Sequence, residues 1–218
     1  MNAAQRIWLF LPRGVRGPLG MSLMVGVAAL VGSYSRAFNL YTPLALWPGD
    51  VWRGRICEVV TYPLLPFGPA DLIVNGFFFA MLGIRLVQVW GRWPFWRFCL
   101  IAALGSAVVK LMLSPFNQGG LVGISGIIYG MLVAWYRLFA NEEVCLWGWG
   151  QMRMKTAVFI IGALNAVCGL LCPCGFWNEL AALGGAVSGW LYLAARSRWA
   201  LRQDAQPLPS QRISRLEL

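Results

Sequence analysis

Six runs of about twenty mostly apolar residues follow one another along the chain, at 18–38, 70–89, 94–113, 119–140, 154–172 and 178–196. At ~1.5 Å rise per residue, a helix of about 20 residues crosses the roughly 30 Å hydrocarbon core of a bilayer. Within such a core only a helix or a closed barrel satisfies its own backbone. The runs are too long for barrel strands, so the sequence predicts an all-α polytopic membrane protein with six transmembrane helices. Local punctuation agrees. Pro94 suits the first turn of the third helix. Ser114-Pro115 closes it, Gly119-Gly120 opens the fourth, and Pro173 ends the fifth.

Only 12% of the 218 residues are charged and 59% are apolar. Soluble domains carry about 25% charged residues, so lipid is the solvent for most of this chain. The net charge of +10 does not point to nucleic acid, because the basic residues are dispersed between apolar runs and no nucleic-acid-reading motif is present. It fits the positive-inside rule instead. With the N-terminus in the cytoplasm, Arg6, Arg13, Arg16, Arg85, Arg92, Arg97, Arg137, Arg153, Lys155, Arg196, Arg198, Arg202, Arg212 and Arg215 face inward, 14 of the 18 basic residues. Arg36, Arg53, Arg55 and Lys110 fall on the far side. Both termini are therefore expected in the cytoplasm, and a bacterial inner membrane is the expected location.

Three segments lie outside the spans. Residues 1–17, with "IWLFL" between arginines, read as a basic interfacial segment rather than a cleaved leader. Residues 18–196 form the membrane domain, with a long outer loop at 39–69 whose Trp47, Trp52 and Tyr62 suit headgroup depth. Residues 197–218 carry Pro207 and Pro209 and read as a flexible cytoplasmic tail.

Within the fourth run stands "LVGISGIIYG", where Gly123-Ile124-Ser125-Gly126 has the form of a serine nucleophile motif. Four stretches in order resemble the rhomboid family of intramembrane serine proteases. "VWRGRICEVVTYPLL" carries the Trp52-Arg53 pair. "DLIVNGFFFAMLG" has Asp71-x-x-x-Asn75 where the family has His-x-x-x-Asn. "GISGIIYG" gives Gly-x-Ser-Gly with Tyr129. "AALGGAVSG" has Ala182-x-x-Gly185-x-x-x-Gly189 where the family has His-x-x-Gly-x-x-x-Gly. The resemblance spans about residues 45–195. It implies a six-helix rhomboid-like bundle with its site near the outer face, and an ability to hold transmembrane segments of other proteins.

The resemblance also implies which chemistry is altered. Ala182 stands where the dyad histidine would accept the Ser125 proton, and the chain contains no histidine. Asn75 matches a donor to the oxyanion. Asp71 replaces the other donor, and an ionised carboxylate there would repel an oxyanion. The reading that follows is a proteolytically inactive rhomboid that binds transmembrane helices of partners, as chaperone, adaptor or accessory subunit. The alternative is an active peptidase in which a non-histidine base, Lys110, serves Ser125.

Packing gives Ser125 a second explanation. Gly119, Gly123, Gly126 and Gly130 form a small-residue face, as do Gly185 and Gly189, and such faces let membrane helices approach closely. Lys110 has readings besides that of a base: snorkelling to headgroups, or pairing with Asp71 or Glu179. Glu179 reads as an interfacial carboxylate and Asn165 as an interhelical hydrogen bonder. Cys168, Cys172 and Cys174 cluster at the outer end of the fifth span, but zinc would need a fourth ligand, so no metal and no cofactor is expected. Cys57 could pair with Cys172 or Cys174 if that side is oxidising.

Overall fold

The computed structural model describes residues 24, 27–28, 41–113, 119–146, 150–170 and 175–204. The first expected span, the 1–17 segment, Cys172, Cys174 and the chain beyond 204 lie outside them. The regular elements among the described residues are helices apart from one short hairpin. In chain order they form α1 (Tyr41–Leu44), α2 (Pro48–Trp52), α3 (Glu58–Thr61), a 3₁₀ turn (Tyr62–Leu64), α4 (Pro69–Trp90) and α5 (Arg92–Leu113). There follow α6 (Ser125–Phe139), β1 (Glu143–Leu146), β2 (Gly150–Arg153), α7 (Met154–Leu170) and α8 (Gly175–Asp204).

Helices α4 and α5 are long and apolar enough to cross a membrane, with 22 residues each and mean hydropathies of 1.8 and 1.7 over their most apolar windows. Pro69 occupies the first turn of α4, where its missing N–H costs nothing. Gly91, at φ +79°, turns the chain between α4 and α5, a conformation glycine adopts without a Cβ penalty.

Two boundaries differ from the sequence expectation. α6 starts at Ser125, not at 119, so it has only 15 residues. The residues before it are not helical, and Leu121 pairs with Leu46 through two backbone bonds of 3.0 and 2.9 Å. Leu46 and Leu121 are both buried. Non-helical backbone at membrane depth is tolerated where protein covers it and satisfies its polar groups, which is the situation here. α8 runs to Asp204, so the first eight residues of the expected tail continue the helix; "WALR" consists of good helix formers.

The outer loop is a folded layer, not a bare connector. Glu58 is fully buried and accepts the Trp47 backbone N–H at 2.9 Å. Its other oxygen is 3.0 Å from Arg55 Nε, an ion pair by distance although the N–H is not aimed at it. Arg55 also reaches Asp50 at 2.6 Å. Thr61 donates to Leu44 O at 2.9 Å, and buried Tyr62 donates to Ala103 O of α5 at 2.9 Å. That burial pushes the Tyr62 phenol well above its ordinary value.

The main core lies between α4, α5, α6 and α8, with Phe79, Leu82, Leu86, Phe95, Phe98, Ile128 and Met131 at its centre. α8 approaches α5 and α6 so closely that there is no room for side chains at several positions. A Cβ built on Gly185 would overlap the Gly126 carbonyl, and one on Gly126 would overlap Ser106 Oγ. A Cβ on Gly189 would lie 3.1 Å from Gly130 Cα. Gly126 and Gly130 of the expected small-residue face therefore meet Gly185 and Gly189 of α8, whereas Gly119 and Gly123 precede α6 and are not part of a helical face. The antiparallel hairpin β1–β2 connects α6 to α7. Arg85 of α4 holds its base, 2.8 Å from Glu142 and over the rings of Phe139 and Trp135.

Candidate functional site

Ser125 is the first residue of α6, and the turn that delivers it is fixed from three directions. Leu121 is bonded to the outer loop. The Gly123 N–H points at Tyr62 O across 3.4 Å. Gly123 itself has φ +98°, which L side chains rarely adopt. Its missing Cβ would sit 3.8 Å from Asp71 Oδ2. Ser125 is half-buried, and among the described residues nothing hydrogen-bonds its hydroxyl.

α4 supplies the acidic side of the site. Asp71 lies in its first turn, where the helix dipole favours a negative charge. Its carboxylate reaches back to the Phe67 N–H at 3.0 Å, in the manner of an acidic residue capping a helix start. One turn on, Asn75 is buried and donates its amide to Asp71 Oδ1 at 2.5 Å. A cavity of about 10 Å³, near the size that admits one water, is bounded by Asp71, Asn75, Leu72, Pro63, Leu65 and Ile124 among others. Tyr41 covers this corner and donates to Pro66 O at 2.7 Å. Burial, and secondly the Asp71 charge, push its phenol up.

α8 supplies the opposite wall. Ala182 is buried, and the position of a Cβ on Gly126 would be 3.7 Å from its Cα. The alanine thus faces the residue next to Ser125, where the resemblance places a base. One turn earlier, Glu179 accepts the Tyr129 hydroxyl at 2.8 Å. Tyr129 is one turn beyond Ser125 on α6, so this bond ties α6 to α8 beside the serine. Glu179 and Asp71 also feel each other electrostatically. Lys110 is buried, 1% exposed, so it does not snorkel, and it donates to Asn178 at 3.3 Å. Among the described residues no hydrogen bond joins it to Ser125.

The fold therefore brings together Ser125, Gly123, Gly126, Asp71, Asn75, Tyr129, Ala182, Gly185 and Gly189. Trp52 and Arg53 stand apart from that cluster. Trp52 is 65% exposed and Arg53 pairs loosely with Asp50 at 3.5 Å. The side chains of Asn165 and Cys168 lie outside the described residues, as do the whole of Cys172 and Cys174. Cys57 is exposed on the outer loop. Among the described residues no three potential ligands gather for a metal ion.

Two participants were not anticipated from sequence: Asn178 takes the Lys110 ammonium, and Ser106 of α5 fills the gap between Gly126 and Gly185. Tyr129 was expected at the site, but its bond to Glu179 was not. Helical spacing held a partial signal, since Tyr129 is i+4 from Ser125 and Glu179 is i−3 from Ala182. Which helices face each other was not available from it.

Chemically, the elements on either side of Ser125 carry carboxylates, Asp71 on α4 and Glu179 on α8, the latter bonded to the Tyr129 phenol. A family model described as Rhomboid domain matches residues 48–199. No curated protein matches the chain significantly.

Proposed function

The chain belongs to the rhomboid family, and from that premise we propose that it is a multi-pass membrane protein whose site has lost peptidase chemistry and serves binding. Its partners are transmembrane helices of other membrane proteins, which it holds as chaperone, adaptor or accessory subunit. The single observation that carries this reading is Ala182, buried against Gly126 in a chain without histidine. Alanine cannot take the serine proton, and loss of a general base removes on the order of 10²–10⁴-fold in rate. The bond from Asn75 to Asp71 reinforces it, because a carboxylate engages one of the two amide N–H groups.

The full arrangement we propose has six spans and both termini in the cytoplasm, as in a bacterial inner membrane. The distribution of basic residues supports that orientation. The second reading, a peptidase using Lys110, draws on the burial of that lysine, since a desolvated amine can serve as a base. Its hydrogen bond to Asn178 turns the Lys110 nitrogen toward α8.

Labelling of detergent-purified protein with a serine-directed fluorophosphonate separates the two, with Ser125→Ala as control. The binding reading expects no labelling of folded protein. Labelling that disappears in Ser125→Ala shows an activated serine and overturns it. Co-purifying membrane proteins, identified after mild crosslinking, then name the partner.

A further inference from the structure

About 21 Å along α8 from Ala182, at ~1.5 Å per residue, the end of α4 and the start of α5 meet the body of α8 where arginines are exposed. α4 ends at Trp90, and α5 begins at Arg92. The Arg196 guanidinium of α8 lies 5.7 Å from the centre of the Trp90 ring, and Arg92 lies 5.7 Å from that of Trp93. Trp90 leans on Phe98 at 5.1 Å, and Phe98 on Tyr192 at 5.8 Å, which fixes α8 to this corner. Arg97 follows one turn after Trp93. Arg92, Arg97 and Arg196 are all exposed, and among the described residues none of them meets a carboxylate. Glu142, an acidic residue of the hairpin base, is taken by Arg85.

An indole face holds a guanidinium but leaves its charge uncompensated. The same helix face continues as Leu100 and Leu104, both exposed and at helical spacing from Trp93 and Arg97. Exposed arginines thus stand near the head of an apolar stripe, Arg97 on its own face and Arg92 and Arg196 beside the α4–α5 turn. Positive charge above an apolar stripe complements a phospholipid with an anionic headgroup. We propose that this junction binds anionic phospholipid from the leaflet it meets, with the headgroup phosphate drawn to Arg92, Arg97 and Arg196 and an acyl chain laid along Leu100 and Leu104. Basic clusters between helix ends recognise lipid headgroups through this charge complementarity. The site is independent of whether Ser125 retains chemistry.

The test uses full-length protein in neutral detergent, titrated with phosphatidylglycerol or with phosphatidylcholine and followed by native mass spectrometry and thermal unfolding. Phosphatidylglycerol is expected to be retained and to raise the unfolding temperature, and phosphatidylcholine to do neither. Each guanidinium removed near an anionic surface lowers affinity about five-fold, so R92Q/R97Q/R196Q should lose on the order of a hundred-fold. Arg97 makes no ion pair or ring contact among the described residues, so R97Q alone carries the test if the triple variant fails to fold. For it a loss of about five-fold is expected, with R97K near wild type. Unchanged affinity in R97Q, equal retention of phosphatidylcholine, or the same stabilisation by inorganic phosphate alone would overturn the proposal.

Discussion

The side-chain amide of Asn75 donates to the carboxylate of Asp71, one turn earlier on the same helix. In a site that stabilises an oxyanion, that amide must be available to the reacting oxygen. Here a carboxylate already takes one of its two N–H groups, and the same carboxylate caps the helix through Phe67. The pair has a structural task that competes with catalysis.

Ala182→His is expected to be destabilising rather than restorative. Ala182 is 1% exposed and faces Gly126, so the larger ring must displace α6 or α8. Overpacking of this kind costs about 1–3 kcal/mol. Thermal unfolding should register that loss, and fluorophosphonate labelling should stay at background. Strong labelling of the stable variant would show that only the base was missing.

Gly185→Ala and Gly76→Ala make an opposed pair. The new methyl at 185 runs into the Gly126 carbonyl, a backbone group with nowhere to go, and a loss of about 3 kcal/mol or more is expected. At 76, in the middle of α4, a Cβ meets nothing within 4 Å. Relief of glycine's entropic cost should stabilise that variant by about 0.5–1 kcal/mol. Chemical or thermal denaturation of the two proteins in one detergent measures the contrast.

Tyr129→Phe removes the donor of the 2.8 Å bond to Glu179. Because a carboxylate acceptor is involved, about 1.5–3 kcal/mol should be lost. Glu179→Gln keeps an oxygen acceptor and should cost less. If Tyr129→Phe and Glu179→Gln unfold alike, the bond does not couple α6 to α8 as described.

Glu58→Ala strips the outer loop of its buried acceptor and leaves the Trp47 N–H without its partner. Arg55 retains Asp50, so the loss should stay nearer ~2 kcal/mol than the larger values known for fully buried pairs. It should be local. Limited proteolysis is expected to cut within residues 41–64 faster, while unfolding of the helical bundle shifts little.

Hydropathy alone located α4, α5 and α7 to within about two residues at most ends, because a lipid-facing helix must be apolar along its whole length. It failed where protein, not lipid, surrounds the chain. Residues 119–124 are as apolar as a helix needs to be, yet they are not helical, and Leu46 supplies the backbone partner of Leu121. The hairpin of β1 and β2 gave no sign, since its register, Glu143 opposite Arg153 through Leu146 opposite Gly150, is a matter of backbone pairing that hydropathy does not report. Ser125, Asp71, Asn75 and Ala182 were found as a set through ordered motifs. The Tyr129–Glu179 and Lys110–Asn178 bonds were not, because both join helices about 50 and 68 residues apart.

The Leu46–Leu121 bridge also sets a schedule for biosynthesis. Its two strands of backbone are separated by about 75 residues, and α4 and α5 lie between them. At roughly 5–20 residues per second of synthesis, the outer loop is made about 4–15 s before the segment that completes it. During that interval two helices must enter the bilayer while Leu46 keeps an open backbone donor and acceptor. The turn that presents Ser125 therefore closes late, and whatever attends the growing chain meets the loop before it meets the site.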